Sequence, residues 1–147
     1  VLQSQGFAAK VNYLQTAFCI SWTEDTAMGK IIYKRIYDLD ESDRQRVLVD
    51  RLWPRGQSRE MLAITEWARD ITPSSRIRQE YHQGKLDYEA FAAAYEQELA
   101  DNKSAADFLE SLRDLLANGD VTITTAVKDV EHSHMPTLRK YISTMIG

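Results

Sequence analysis

The chain has 147 residues, 44% hydrophobic and 27% charged, with 6 Gly and 3 Pro, which is one domain's length and an ordinary globular composition; disorder, collagen-like repeats and coiled coil are excluded. With 18 Lys+Arg against 22 Asp+Glu the formal charge is −4, which argues against wrapping nucleic acid by charge alone. The single cysteine, Cys19, excludes an intrachain disulfide framework and a Cys-based zinc cluster, and no apolar run approaches the ~20 residues that span a bilayer, so a reducing cytoplasm without membrane contact is the expected setting.

Residues 1–27 carry only Lys10, Glu24 and Asp25 as charged groups, beside Phe7, Val11, Tyr13, Leu14, Phe18, Ile20 and Trp22. Lys10, Asn12 and Gln15 interrupt any secretory-type apolar core. The segment reads either as an N-terminal extension ahead of a domain starting at Met28, or as an element packed onto that domain. Residues 28–147 read as one α/β domain. A β-branched and aromatic run over 30–37 predicts a strand, and 46–52 predicts a second, buried one. Pro54 and Gly56 end it. Ser58 is placed to cap a helix carrying Met61, Ile64, Trp67, Ala68 and Ile71. Ser74 caps a short helix with Ile77 and Tyr81, closed by Gly84. Asp87 caps a helix with Tyr88, Phe91, Tyr95 and Leu99 on one face. Ser104, with Asp107 in an acidic capping box, opens another with Phe108, Leu109, Leu112, Leu115 and Leu116. Asn118-Gly119 stops it, 121–127 predicts a third strand, and Pro136 suits the first turn of a last helix. Strands separated by helices pair in parallel. The expected fold is a small α/β parallel-sheet sandwich with helices on both faces and a helix-rich middle.

Chemistry gathers after two of these strands, where ligands of open α/β sheets collect. Asp50-Arg51-Leu52-Trp53-Pro54-Arg55-Gly56 sets an acid, two guanidiniums and an indole at a strand end. The planar fork of Arg51 or Arg55 suits phosphate or carboxylate, and Gly56 permits positive φ. The competing reading is an Asp50–Arg51 structural pair with Trp53 in the core. Lys128-Asp129-Val130-Glu131-His132-Ser133-His134 holds two of the chain's 3 histidines. His132 and His134 suit acid/base exchange, or metal ligation completed by Asp129 or Glu131; a solvated charged turn is the competing reading. Arg44, Arg46, Arg51, Arg55 and Arg59 form a locally basic stretch, with Asp43, Asp50 and Glu60 interleaved. A small anionic ligand is therefore expected more than a nucleic-acid backbone. No Gly-rich nucleotide loop, Walker loop, nucleophile elbow or zincin motif occurs.

The string from Val47 to Gly56, with Ser58 and Trp67, resembles the YeaO-like family of bacterial and archaeal proteins. Lys34-Arg35-Ile36-Tyr37-Asp38, Asp70-Ile71-Thr72-Pro73-Ser74, Ala126-Val127-Lys128-Asp129, Glu131-His132 and His134 extend the resemblance over about residues 30–145. The family commonly has Asn where this chain has Ser133. The resemblance implies an α/β fold with a parallel sheet and supplies no demonstrated activity or cofactor.

Two readings of function follow. In the first, Arg51, Arg55 and Lys128 hold an anionic small molecule, while His132, His134, Asp50 and Asp129 supply acid/base groups, or the two histidines hold a metal. This requires Arg55 and His134 to converge. In the second, the Arg/Trp surface of a non-catalytic binding module recognises a protein or nucleic-acid partner. A blander possibility is that Asp50, Arg51 and Trp53 lock the sheet edge.

Overall fold

A computed structural model describes residues 28–146; the expectation for residues 1–27 lies outside the described residues. In chain order the elements are β1 (Ile31–Arg35), β2 (Gln45–Leu48), α1 (Arg59–Leu62), β3 (Glu66–Trp67), α2 (Ser75–His82), α3 (Tyr88–Asp101), α4 (Ser104–Asn118), β4 (Val121–Thr125) and α5 (Met135–Ile146). Single 3-10 turns at Ile36–Asp38, Arg69–Ile71 and Val130–His132 bridge them. The sheet is four-stranded and wholly parallel, in the order β1-β4-β2-β3.

Alternation along the strands builds the two cores. Val47 and Val49 of the β2 segment and Val121 and Ile123 of β4 point into the larger core, with Ile77, Phe91, Tyr95, Leu112 and Leu138 of the four long helices. Leu48 points the other way, into a smaller core with Ile36 and Leu62, flanked by Trp53, Ile64 and Trp67. The sandwich is lopsided: four long helices cover one face, and the single turn of α1 serves the other. Each fully buried Leu or Ile contributes about 1.5–3 kcal/mol relative to exposure, so the larger core carries most of the stability.

Local capping follows the residue types in three helices. Ser58 accepts the Met61 N–H, Ser74 the Ile77 N–H and Asp87 the Ala90 N–H. The fourth differs: Ser104 is the first helical residue, and its own N–H is taken by Asn102 Oδ1 at 2.8 Å. No Ser104–Asp107 capping box forms, because Lys103 occupies the cap position.

The largest departure lies at 58–71, which periodicity presents as one helix. The helix stops after one turn because Ala63 turns left-handed at φ 49°. Sheet pairing then captures the chain: Glu66 and Trp67 align with Val47 and Leu48. Thr65 N–H donates to the Arg46 carbonyl and Ala68 N–H to that of Leu48, each at 2.8 Å.

Candidate functional site at the strand ends

β2 and β4 are neighbours in the sheet, so the residues that follow them meet. The Asp50 carboxylate accepts the Thr125 hydroxyl at 2.5 Å and the Ala126 N–H at 2.7 Å. Both of its oxygens thus tie the two strand ends together. His134 stands beside it, with Nε2 3.6 Å from Asp50 Oδ1. The same Nε2 donates to the Val49 carbonyl at 2.6 Å; a carbonyl can only accept, which assigns the proton to Nε2. The ring meets Tyr95 edge-on, and the Tyr95 hydroxyl donates to the Ile71 carbonyl at 2.7 Å. Burial holds His134 below its ordinary pKa of 6.5, and nearby Arg78 pushes the same way, against the opposing pull of Asp50 and the Val49 carbonyl. His134 is thereby held toward its neutral form near neutral pH.

Arg51 and Trp53 of the first string are also tied to backbone carbonyls. Arg51 donates to the Pro73 carbonyl at 3.0 Å and to that of Thr72 at 3.3 Å. The Trp53 indole donates to the Gln57 carbonyl, and the Trp67 indole to that of Asp50, both at 2.7 Å. Gly56 adopts φ +78°, the left-handed conformation that closes the Pro54–Gln57 turn. Arg46, part of the basic stretch, spans three carbonyls, those of Asp40, Asp43 and Leu62.

His132 goes elsewhere. It is exposed, pairs through Nδ1 with Asp129 at 3.0 Å, and lies edge-on to Tyr88. Tyr81 and Tyr88 hydroxyls donate to the His132 and Ser133 carbonyls, which fixes the loop. Ser133 donates to the Val130 carbonyl and accepts the Met135 N–H, capping α5. Lys128 and Arg55 are exposed. The structure therefore brings Asp50 and His134 together. His132 with Asp129 stays on the surface, and Arg51, Arg55 and Lys128 do not join them in any hydrogen bond or ion pair among the described residues. Among the described residues no group of three His, Cys, Asp or Glu side chains is placed to hold a metal.

Two features escaped sequence reasoning. Asp43 is buried and accepts Lys34 Nζ at 2.8 Å, Asp40 N–H at 2.9 Å and the Thr122 hydroxyl at 2.7 Å. Burial opposes its ionisation, yet these three donors win and hold its pKa at about 2. The only available signal was a strand lysine nine residues before an acidic turn. The second is a stack of cations on indoles. Trp53 and Trp67 meet edge to face at 5.4 Å; the Arg59 guanidinium lies 4.6 Å from the Trp53 ring centre, and Arg69 lies 5.0 Å from that of Trp67. Arg59 and Arg69 are exposed, as are Met61 at 81% and Leu52 at 65%.

The fold and this polar seam define a small parallel α/β protein with a buried Asp50–His134 contact at its strand ends. The family model described as "Inactive DUF488-N3 subclade" matches residues 30–146, so the chain belongs to that YeaO-like group. It is 34% identical over 113 residues to the uncharacterized protein YeaO of Escherichia coli (strain K12), covering 76% of this chain and 96% of that one. It is 36% identical over 110 residues to uncharacterized proteins of Mycobacterium tuberculosis (strain ATCC 25618 / H37Rv) and Mycobacterium bovis, covering 74% of this chain and 90% of each. No solved structure matches the chain significantly. Among the described residues no helix is long and apolar enough to cross a membrane.

Proposed function

We propose that the chain acts in the cytoplasm as a non-catalytic binding module, whose Arg/Trp face docks an acidic segment of a protein partner. The observation that carries this reading is the guanidinium–indole stack of Arg59, Trp53, Trp67 and Arg69. Stacking restricts the guanidiniums, and among the described residues neither side chain has an ion-pair partner, so both keep their charge available to an acidic group. Exposed Met61 and Leu52 supply apolar area in the same stretch of chain. Trp, Met and Arg together are the composition of a protein interface core, and exposed aliphatics gain little against a phosphate backbone. Arg55 adds a further exposed cation. Asp50, Arg51 and His134 each hydrogen-bond to groups of the fold itself, and the family's description as inactive agrees with a role that needs no turnover.

The test places a photo-crosslinking residue at Met61 in the full chain, in cells. Crosslinks to protein that vanish in an Arg55→Glu/Arg59→Glu variant of unchanged melting temperature support the reading. They should weaken with salt, as exposed charge pairs do. Crosslinks that are nuclease-sensitive, or unaffected by the charge reversal, overturn it.

A further inference from the structure

A cleft of about 320 Å³ opens at the far side of the sheet, over the carboxyl ends of β1 and β4 and beside the start of α5. Its size is at the lower end of small-molecule sites. It is remote from the Arg/Trp face, which lies along the β3 edge, and it is independent of the function proposed above. Register explains who lines it: Arg35 sits opposite Thr125 on the last rung of the β1–β4 pair. Both follow the face that Val121 and Ile123 bury, so Arg35 emerges where the core ends.

Charge is the informative property. Lys34, Arg35 and Arg139 line the cleft as cations and Asp38 and Glu131 as anions, but the Lys34 ammonium is already held by Asp43 at 2.8 Å and lies 3.5 Å from Asp40. None of these guanidiniums reaches a carboxylate in an ion pair among the described residues. Each Arg is instead steered by a neutral neighbour. Arg35 Nε donates to the Val127 carbonyl at 2.8 Å, and its guanidinium lies 4.9 Å from the Tyr37 ring centre. Arg139 lies 4.6 Å from the centre of the Tyr33 ring. Such contacts fix the forks and leave terminal N–H groups for a ligand. With Lys34 neutralised by Asp43, two guanidiniums and two carboxylates that do not pair with one another remain around one small space, which matches a ligand that carries both charges. Val130 and Met135 add an apolar wall.

We infer that this cleft binds a small zwitterion of the α-amino-acid class with an apolar side chain. The carboxylate meets Arg35 and Arg139, the ammonium meets Asp38 and Glu131, and the side chain lies on Val130 and Met135. A simple anion would meet two uncompensated carboxylates there, and a simple cation two uncompensated guanidiniums.

The test is an amide-resolved NMR titration of the full chain with L-leucine and L-methionine. The parallel probes are 4-methylpentanoate, which lacks the ammonium, 3-methylbutylamine, which lacks the carboxylate, and inorganic phosphate. Saturable shifts at β1, β4 and α5 are expected with leucine or methionine, with all three parallel probes at least about tenfold weaker. Arg139→Ala and Glu131→Gln should each weaken leucine about tenfold, while Lys140→Ala leaves it unchanged. The inference is overturned if neither amino acid binds at millimolar concentration. It is equally overturned if 4-methylpentanoate or phosphate binds as well as leucine, or if Arg139→Ala and Glu131→Gln both leave leucine binding intact.

Discussion

At Gly29 the turn carrying Gly119 comes so close that any Cβ would overlap the Gly119 carbonyl, and the Gly29 N–H donates to the Leu116 carbonyl at 2.8 Å. The obstructing groups, the Gly119 carbonyl and the Asp120 nitrogen, are backbone and have little room to shift. Gly29→Ala is therefore expected to lower stability by about 2 kcal/mol through overpacking, read as a lower urea midpoint at unchanged slope; an unchanged midpoint would mean that the turn yields freely. Single residues show well what a sequence can reveal. Ser58, Ser74 and Asp87 were legible as caps because a cap acts within three residues of itself. Asp50 and His134 were legible as members of two polar clusters that each follow a strand, but their contact was not. Whether Asp50 faces a ligand or the Thr125 hydroxyl depends on strand order, which no local pattern records. Asn102 likewise outcompeted Ser104 by geometry that spacing does not show.

Among the elements, the α1–β3 segment is where periodicity misled. Met61, Ile64, Trp67 and Ala68 fit a helical stripe, yet Ile64 and Trp67 serve the smaller core from a strand edge. What redirects the chain is long-range: Arg46 on β2 grips the Leu62 carbonyl at 2.8 Å, together with those of Asp40 and Asp43. Its carbonyl also accepts the Thr65 N–H, and its own N–H donates to the Thr65 hydroxyl. Arg46→Met, which keeps the stem and removes the fork, should cost about 2–3 kcal/mol by leaving part-buried carbonyls unpaired. Hydrogen exchange should speed at Thr65 and Ala68 before it speeds in α3 or α4. Equal loss of protection everywhere would show that α1 and β3 have no separate stability and that Arg46 acts on the whole fold. The long amphipathic helices needed no such help, because each has a capped start and an apolar face broad enough to define itself.

For the whole molecule, acid is the informative perturbant, and two groups divide the response. His134 is held below 6.5 in the fold, so the unfolded chain takes up its proton first. Its contribution is complete above about pH 6.5 and is lost as pH falls below that. Asp43 is lowered from 3.8 to about 2; its contribution is complete above the ordinary carboxylate range and is lost only as pH falls toward about 2. Unfolding midpoints measured across pH 2–8, a window of about six units, should decline in two stages. His134→Gln should remove the upper stage and Asp43→Asn the lower; a single-stage profile in the parent chain would refute the division. Both groups anchor β4, through Thr122 and through the Asp50–Thr125 seam.

The strand order has a consequence in time. β4 separates β1 from β2, and among the described residues it is the only partner β1 has. During synthesis β1 and β2 leave the ribosome long before the segment that must slide between them, so β1 cannot be consolidated by its neighbour in the finished sheet and β2 has only the two-residue β3. Every pairing of β1 spans about ninety residues, a topology that slows folding and leaves nascent strand edges bare. A nascent chain halted after α4 would present helices and orphan strands together. The interval in which a strand edge stays bare therefore runs from the emergence of β1 to the release of β4.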